Sequence, residues 1–432
     1  MASTKSETHP LTRTLAAVGA GALILGAGAA LRNLFGPTLP YTIHESPEGA
    51  LDTDEFLRFL TVVTDGTLRR CRVTRLRNGE EFYPAEFEAI RDARHSINLE
   101  YYEFGGGKVP SVFLDALIER ARAGVQVRLT VDAAGSFSTP NSFFDRLKAA
   151  GGQMCWYNPF RPLTWQRVNN RTHRKLLTVD GRIGFIGGAG IDDRWFYGTK
   201  KSPPWRDTVL RVEGEAVAGL VSTFSENWLE AAGEILSGPG QFALHASLDG
   251  ARGFVVISTP HGGGTQARIL FQTLIHSARK SLCITTPYFL PDRSARRALI
   301  HAARRGVRVR ILTAGPFIDH PIVRKMSRIA SRHLVEAGAE IYEYQPSMIH
   351  AKLLTVDDQW CVAGSTNFDH RSFGLNDEVN LAVLDPALAA TLESDFADDL
   401  RHSRQLTPGM LRQRRFLAPT EEIVDRGLRR ES

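Results

Sequence analysis

Cysteine and lysine are both scarce in this 432-residue chain. The four cysteines show no CxxC or CxxxC spacing and no neighbouring histidine cluster, so neither a zinc site nor a disulfide framework is indicated and we expect buried, inert thiols. The 9 lysines stand against 44 arginines, which makes each lysine position informative. Apolar residues make up 43% and charged residues 23%, which disfavours wholesale disorder, a coiled coil and a protein that crosses a membrane many times.

One uncharged apolar run, residues 15–31, follows Lys5 and Arg13 and ends before Arg32. This is the layout of a signal peptide or of a short membrane anchor, and we favour an uncleaved anchor within an N-terminal segment of residues 1–45. Basic residues before the run and acidic residues beyond it predict a cytoplasmic N-terminus and an exported body. A buried alanine-rich helix is the structural alternative.

The formal charge is +6 and the pI is near 9.2. An excess of positive charge suits anionic partners, either phospholipid headgroups or nucleic acid, without choosing between them. Residues 403–432 form a basic C-terminal tail, which is either a second membrane contact or a solvated helix. Its arginines include Arg412, Arg414, Arg415, Arg429 and Arg430.

The sequence contains an internal duplication. Residues 172–194 (THRKLLTVDGRIGFIGGAGIDDR) match residues 349–371 (IHAKLLTVDDQWCVAGSTNFDHR) at a constant offset of 177. Two copies of one unit therefore fill most of the chain. We place the first half at 46–240 with its motif at 167–194, and the second half at 241–402 with its motif at 344–371.

Hydrophobic periodicity alternates between the helical and the strand pattern within each copy. In the first copy it predicts helices near 84–95, 110–123 and 140–150, and strands near 97–103, 125–132 and 153–157, followed by a hairpin and one more strand. Alternating strands and amphipathic helices predict an α/β sandwich, in which helices cover both faces of a central sheet.

Each copy has a histidine followed two residues later by a lysine, namely His173 with Lys175 and His350 with Lys352. On a strand, positions i and i+2 lie on the same face. An imidazole can act as nucleophile, acid or base near neutral pH, and an ammonium beside it can hold an anionic oxygen. A single pair of this kind is commonly structural, but two pairs at the same place in a repeat predict a catalytic site.

The segments HRKLLTVD, beginning at His173, and HAKLLTVD, beginning at His350, resemble the HxKxxxxD signature of the phospholipase D superfamily, especially its cardiolipin synthase-like branch. The resemblance covers about residues 80–400 and is far more specific for the superfamily than for the substrate. It implies a duplicated phospholipase D-like α/β sandwich, with two halves related by a pseudo-twofold axis and both His-Lys pairs in one shared cleft. It implies no metal and no cofactor.

The resemblance further implies a two-step phosphodiester transfer through a phosphohistidine. By similarity to the family, His173 is the nucleophile and His350 the general acid and base, and the reverse assignment stays open because the halves are so alike.

Phosphate binding is also implied for four other residues. Lys175 and Lys352 would stabilise the charge of the transition state, together with Ser365 and Asn367 of the GSTN segment. The first copy has GGAG at 187–190 instead, so we expect the two halves to contact phosphate unequally.

The motif aspartates, Asp180 and Asp357, lie at positions typical of a tight turn between two strands. Seven extended residues span roughly 23 Å, so each should lie far from its own histidine. We expect both to be structural, capping the turn or pairing with an arginine. Better candidates to orient the imidazoles are Asp207 and Glu378, which occupy matching positions ahead of matching strands. For Asp207 a surface carboxylate is the alternative.

The first copy carries two aromatic and basic insertions relative to the second. They are residues 160–167 (FRPLTWQR) and residues 195–201 (WFYGTKK) together with Trp205. Both flank the segment around His173, so we expect them to line the mouth of the cleft. Two interpretations stay open: docking on an anionic bilayer, or a loop whose aromatic side chains pack inward.

These observations favour a membrane-associated phosphatidyltransferase of the cardiolipin synthase type. It would transfer a phosphatidyl group from phosphatidylglycerol to an alcohol, often a second phosphatidylglycerol, at the bacterial inner membrane, held by a single N-terminal anchor. A phospholipase D that uses water as acceptor is the first alternative, and a nuclease of the same superfamily is disfavoured because it has little use for an anchor. A dead lipid-binding scaffold is disfavoured by the intact histidines and lysines, and the oligomeric state stays open.

Overall fold

A computed structural model describes residue 43 and residues 50–159, 169–243, 249–259 and 265–412. Three features of the sequence therefore lie outside the described residues: the apolar run at 15–31, the insertion at 160–167 and the tail beyond residue 412. Among the helices that the structure does describe, none is long and apolar enough to cross a membrane.

The first half alternates strands and helices as the periodicity predicts. Its elements are α1 (Asp54–Val63), β1 (Arg69–Arg77), α2 (Asn78–Asp92), β2 (Ser96–Tyr101), α3 (Lys108–Arg122), β3 (Gln126–Asp132), α4 (Asp145–Ala149), β4 (Gln153–Tyr157), β5 (Arg171–Thr172), β6 (Lys175–Val179), β7 (Ile183–Gly187), β8 (Thr208–Gly214) and α5 (Val217–Ala232).

The second half repeats this order. Its elements are β9 (Ala251–Ser258), α6 (Gln266–Ser277), β10 (Ser281–Thr285), β11 (Phe289–Leu290), α7 (Arg293–Arg304), β12 (Arg308–Ala314), α8 (Pro321–Glu336), β13 (Glu340–Tyr344), β14 (Leu353–Val356), β15 (Trp360–Gly364), β16 (Phe368–Asp369), α9 (His370–Gly374), β17 (Asn376–Leu384), α10 (Pro386–Arg401), β18 (Ser403–Gln405) and α11 (Pro408–Arg412).

Two helices differ from the predicted ones. The helix expected near 84–95 begins earlier, at Asn78, and contains Pro84 in its interior. The helix expected near 140–150 is divided into a 3-10 turn, Asn141–Phe144, and the short α4. Both differences concern helix ends, where the local pattern is weakest.

A single 16-stranded sheet runs through both halves, and one of its strands, β5, pairs with β17 outside the main order. From the central pair β1 and β9, the order outward is β8-β7-β6-β2-β3-β4 on one side and β17-β15-β14-β10-β12-β13-β18 on the other. In each half the outer strands β2-β3-β4 or β10-β12-β13 are parallel, and the inner hairpin strands are antiparallel. The same order on both sides of the centre is the pseudo-twofold arrangement that the duplication predicts.

Helices cover both faces of the sheet, so its central strands are buried on both sides. All six residues of β2 and all nine of β17 are buried. One hydrophobic cluster combines Phe224 and Trp228 of α5 with Leu381 and Val383 of β17, and it therefore joins the two halves. The predicted duplicated α/β sandwich is confirmed. Cys71, Cys283 and Cys361 are buried thiols, and Cys155 is half-buried.

Candidate active site

The two histidines are fixed by backbone hydrogen bonds that cross between the halves. His173 follows β5, and its N–H donates to the carbonyl of Asp377 at 2.9 Å. His350 precedes β14, and its N–H donates to the carbonyl of Arg206 at 2.7 Å. Both imidazoles line one cleft of about 270 Å³, so the structure brings the two predicted histidines together.

Each imidazole is held by a carboxylate from the other half of the chain. His173 Nδ1 lies 3.0 and 3.1 Å from the two carboxylate oxygens of Glu378. His350 Nδ1 lies 3.1 Å from Oδ2 of Asp207. Both carboxylates are fully buried, so Asp207 is not a surface residue. A carboxylate on Nδ1 holds the ring with Nε2 available for chemistry.

The two carboxylates have different second partners. Asp207 Oδ2 also accepts the indole N–H of Trp195 at 2.9 Å. Glu378 accepts a short hydrogen bond from the Ser365 hydroxyl, which in turn accepts the N–H of Val379 at 3.0 Å. This differs from the expectation that Ser365 contacts phosphate directly, because its hydroxyl donates to Glu378 and it does not line the cleft.

The two lysines are buried beside the histidines. The ammonium groups of Lys175 and Lys352 each donate to the carbonyl of the histidine two residues earlier, at 2.5 Å. Lys352 Nζ also lies 2.9 and 3.2 Å from the two ring nitrogens of His350. Lys175 Nζ instead lies 5.3 Å from the ring centre of Tyr102. The second pair is therefore the more crowded one.

Burial makes the charged forms of these bases costly. It lowers the pKa of His173 to about 4 and that of His350 to about 3, so both rings are neutral at pH 7 in the free cleft. Burial also lowers the pKa of Lys175 to about 8 and that of Lys352 to about 7. The bases of the cleft are thus poised to gain charge when an anion enters.

For the two carboxylates of the cleft it is the charged form that is favoured. Burial by itself raises the pKa of a carboxyl group. In the acid range, the protonated His173 ring and its hydrogen bond, with Lys175 behind it, hold the pKa of Glu378 below its ordinary value. The hydrogen bond from His350 and the charge that this ring gains at acid pH do the same for Asp207. Two buried carboxylates therefore face the bases of the cleft as anions.

The motif aspartates lie at the opposite ends of their strands from the histidines. Asp180 lies in the turn between β6 and β7 at φ +52°, and Asp357 lies in the turn between β14 and β15 at φ +53°. Asp180 accepts the backbone N–H groups of residues 94–96, and Asp357 those of residues 279–281, all at 2.7–2.9 Å. Each ties its hairpin to the start of the neighbouring strand through backbone N–H groups.

The insertion at 195–201 is folded inward at its aromatic start. Trp195 and Trp205 are 1% and 5% exposed, and their ring centres lie 5.5 and 5.4 Å from that of His350. Tyr197 is 54% exposed. For the two tryptophans, the inward-packing interpretation is therefore the correct one, and they support the His350 imidazole.

Several residues of the cleft were not identified from the sequence. Tyr102 packs edge-on against the His173 ring at 5.3 Å, and Arg194 and Arg371 line the cleft at equivalent positions of the repeat. Arg194 and Arg371 are the last residues of the repeated segments 172–194 and 349–371, so the repeat could have identified them. Nothing in the sequence pattern distinguishes Glu103, Tyr288 and Asp319, which also line the cleft. Asn367, which the sequence analysis assigned to phosphate binding, lines the cleft as well.

Within the described ranges, no three His, Cys, Asp or Glu side chains are grouped so that they could hold a metal ion. The chemistry derived below uses the side chains of the cleft.

A duplicated sheet with both HxK histidines in one cleft, each with its lysine beside it, defines the phospholipase D class of phosphodiester transferases. The family model described as cardiolipin synthase, PLD-like domain, matches residues 87–224 and 271–400. A cardiolipin synthase of Geobacillus kaustophilus is 36% identical over 356 residues, covering 81% of this chain and 70% of that protein. A probable cardiolipin synthase of Bacillus subtilis is 35% identical over 337 residues, covering 77% and 67%. The chain belongs to the cardiolipin synthase family.

Solved structures share the fold. A phosphatidylserine synthase of Haemophilus influenzae superposes with a TM-score of 0.67 at 15% identity, covering 88% of this chain and 98% of that one. A polyphosphate kinase of Porphyromonas gingivalis superposes with a TM-score of 0.54 at 12% identity, covering 78% and 49%. At these identities the likeness is one of fold alone.

Proposed function

We propose that the protein transfers a phosphatidyl group from phosphatidylglycerol to the hydroxyl of a second phosphatidylglycerol, forming cardiolipin and releasing glycerol. The observation that carries this proposal is the exchange of carboxylates across the cleft, with Glu378 on His173 and Asp207 on His350. Two oriented imidazoles in one cleft supply the nucleophile and the acid–base group that a double displacement needs.

In the first step, His173 Nε2 attacks phosphorus and a P–N bond forms while the P–O bond to the leaving glycerol breaks. The Nδ1–H of His173 stays hydrogen-bonded to Glu378, which stabilises the positive phosphohistidine. His350 gives its proton to the leaving oxygen. In the second step, His350 takes the proton of the incoming hydroxyl, whose oxygen attacks phosphorus, and the P–N bond breaks to restore His173.

The negative charge of the bound substrate raises the pKa of His350, the proton donor. In the free cleft burial keeps His350 neutral, but a bound phosphodiester brings a negative charge to the site and raises the pKa of every base around it. Protonated His350 can then act as the acid, and Lys175 and Lys352 stabilise the charge on the pentavalent phosphorus. Ser365 acts through Glu378 by fixing the orientation of that carboxylate.

Cleft volume supports a reaction at a membrane surface. At about 270 Å³ the cleft has room for a phosphate and a glycerol unit but not for two acyl chains, which must stay outside it. We place the enzyme on the bacterial inner membrane, held by residues 15–31 as a single anchor. Exposed Tyr197, whose ring centre lies 5.2 Å from Lys108 Nζ, is the kind of residue that contacts a lipid interface.

The test is mass spectrometry of lipids after the full-length protein is incubated with phosphatidylglycerol vesicles and a chelator. Cardiolipin and glycerol are expected from the wild type and from His301→Ala, an exposed histidine of α7, but not from His173→Ala. Phosphatidic acid in place of cardiolipin would make the protein a phospholipase D. Cleavage of DNA with no lipid turnover would make it a nuclease.

Which histidine forms the covalent bond is tested separately. A phosphodiester with a p-nitrophenolate leaving group needs no proton from His350, so it should still load His173 in the His350→Ala protein. Release needs the missing base, so the transferred phosphoryl group should accumulate on His173 as an acid-labile adduct. An adduct on His350 in the His173→Ala protein would reverse the two roles.

A further inference from the structure

Four polar side chains from both halves meet beside His350. Arg194 stacks on Trp205 with 4.7 Å between the guanidinium carbon and the ring centre, and Trp205 lies against the His350 ring. Arg194 forms an ion pair with Glu103. The Tyr288 hydroxyl lies 2.7 Å from each carboxylate oxygen of Asp319.

These two pairs lie close to one another. Glu103, Arg194, Tyr288 and Asp319 all line the cleft. Burial lowers the pKa of Arg194, and the strongest opposing influences come from Asp319 and then Tyr288. The first-half pair and the second-half pair therefore form one polar wall of the cleft, which reaches His350 through Arg194 and Trp205.

Asn367 adds an unpaired acceptor to this wall. β11 and β16 pair in parallel with Phe289 opposite Phe368, which puts Asn367 beside Tyr288. Asn367 is only 4% exposed and lines the cleft, yet its side-chain Oδ1 has no hydrogen-bond partner among the described residues. A buried acceptor without a donor is costly, so this atom is suited to a donor that a ligand supplies.

We propose that Glu103, Arg194, Tyr288, Asp319 and Asn367 form a subsite for the hydroxyl groups of glycerol. This proposal rests on the proposed function, and it identifies the part of the substrate that the cleft recognises. Carboxylate and amide oxygens accept hydrogen bonds from hydroxyls, and the guanidinium and phenol can donate to them. A phosphate, which has only acceptors, would meet carboxylates here.

The position of the subsite links it to both steps of the reaction. His350 protonates the leaving alcohol and deprotonates the incoming one, so the two alcohols occupy the same place in turn. One glycerol subsite on the His350 side therefore serves the donor headgroup in the first step and the acceptor in the second.

The experiment measures how one phosphohistidine intermediate divides between two small acceptors. The protein is given phosphatidylglycerol vesicles with equal concentrations of deuterated glycerol and propan-1-ol, which has the same three carbons but lacks two hydroxyls. Labelled phosphatidylglycerol and phosphatidylpropanol are counted by mass spectrometry. Because both products come from the same intermediate, their ratio cancels any effect on the first step, on membrane binding or on folding.

The wild type should favour glycerol. In Asp319→Asn and Tyr288→Phe the preference for glycerol over propanol should fall by about tenfold, the effect of losing one hydrogen bond to a charged group. Asp358→Asn is the matched control, because it makes the same change in an exposed turn at the far end of β14 and should leave the ratio unchanged.

Three outcomes are distinguishable. An unchanged ratio in both variants, at any level of total turnover, overturns the subsite. A wild-type ratio that favours propanol also overturns it. A folded wild type that makes neither of these products and no cardiolipin defeats the proposed function and the subsite with it.

Discussion

Replacing Asp357 with alanine should destabilise the second half of the protein and leave the chemistry of the cleft intact. The Asp357 carboxylate is 5% exposed. It accepts the backbone N–H groups of Arg279, Lys280 and Ser281 at 2.8, 2.7 and 2.9 Å. Alanine leaves all three donors without this acceptor at the point where β14, β15 and β10 meet.

The size of the effect follows from those contacts. A hydrogen bond to a charged acceptor contributes about 1.5–3 kcal/mol when water cannot replace it, but here the three N–H groups are only partly buried. Alanine is also less tolerant than aspartate of the left-handed backbone at φ +53°, by roughly 1 kcal/mol. We expect a total loss of about 3 kcal/mol.

Two related variants should lose less unfolding free energy than Asp357→Ala. Asp357→Asn keeps Oδ1, which accepts from Lys280 and Ser281, and loses only the contact to Arg279, so about 1 kcal/mol is expected. Asp180→Ala removes three equivalent hydrogen bonds, but Asp180 is half-buried and the loss should be smaller, about 2 kcal/mol.

The assay combines urea unfolding with turnover per folded molecule. Asp357→Ala should lower the free energy of unfolding while kcat at low temperature, corrected for the folded fraction, stays within about threefold of the wild type. A hundredfold fall in kcat with an unchanged unfolding curve would contradict a structural role, because it would put this aspartate in the chemistry of the cleft.

Three further predictions concern the cleft itself. Burial lowers the pKa of His173 to about 4 and that of Lys352 to about 7. With a phosphodiester whose leaving group needs no proton from His350, such as p-nitrophenolate, kcat/KM for the first step should rise with pH through about 4, as the nucleophile loses its proton, and fall above about 7, as the ammonium is lost. An acid limb near the ordinary histidine pKa of about 6.5 would contradict this. Glu378→Gln should slow formation of the His173 adduct at least about a hundredfold, measured in single-turnover rapid-quench experiments, with little change in KM. An unaltered rate of adduct formation would show that the carboxylate does not support the ring. Trp195→Phe keeps an aromatic ring beside His350 but removes the hydrogen bond to Asp207, so kcat in steady-state assays should fall about three- to tenfold. A loss above a thousandfold would mean that the indole does more than orient the carboxylate.

Features that depend on neighbours along the chain were predictable. The alternation of apolar residues predicts β2, β3 and β4 within one or two residues, because successive side chains of a strand lie on opposite faces of the sheet. The repeat at offset 177 predicts two equivalent halves, and the spacing of His173 and Lys175 predicts their common face. The tight turn at Asp180 follows from the Asp-Gly pair.

Other features depend on how residues distant in sequence pack. Asp207 and Glu378 were recognisable as carboxylates ahead of matching strands, but not as partners of the opposite histidines. His173 and Glu378 are 205 residues apart, and His350 and Asp207 are 143 apart. Ser365 was assigned to phosphate because its motif allows that role, and only the packing shows its hydroxyl on Glu378.

By itself the sequence determined the duplicated α/β unit, the two His-Lys pairs and the turns that hold the motif aspartates, since each is encoded by spacing within a few residues or by similarity between the copies. The tertiary structure alone decided that each half supplies the carboxylate for the other half's histidine, that Trp195 and Trp205 face inward, and that Arg194 and Asp319 share one wall. The physical reason is that strand and helix periodicity constrain which face a side chain lies on, whereas its partner across the cleft is set by how the two halves pack about the axis between them.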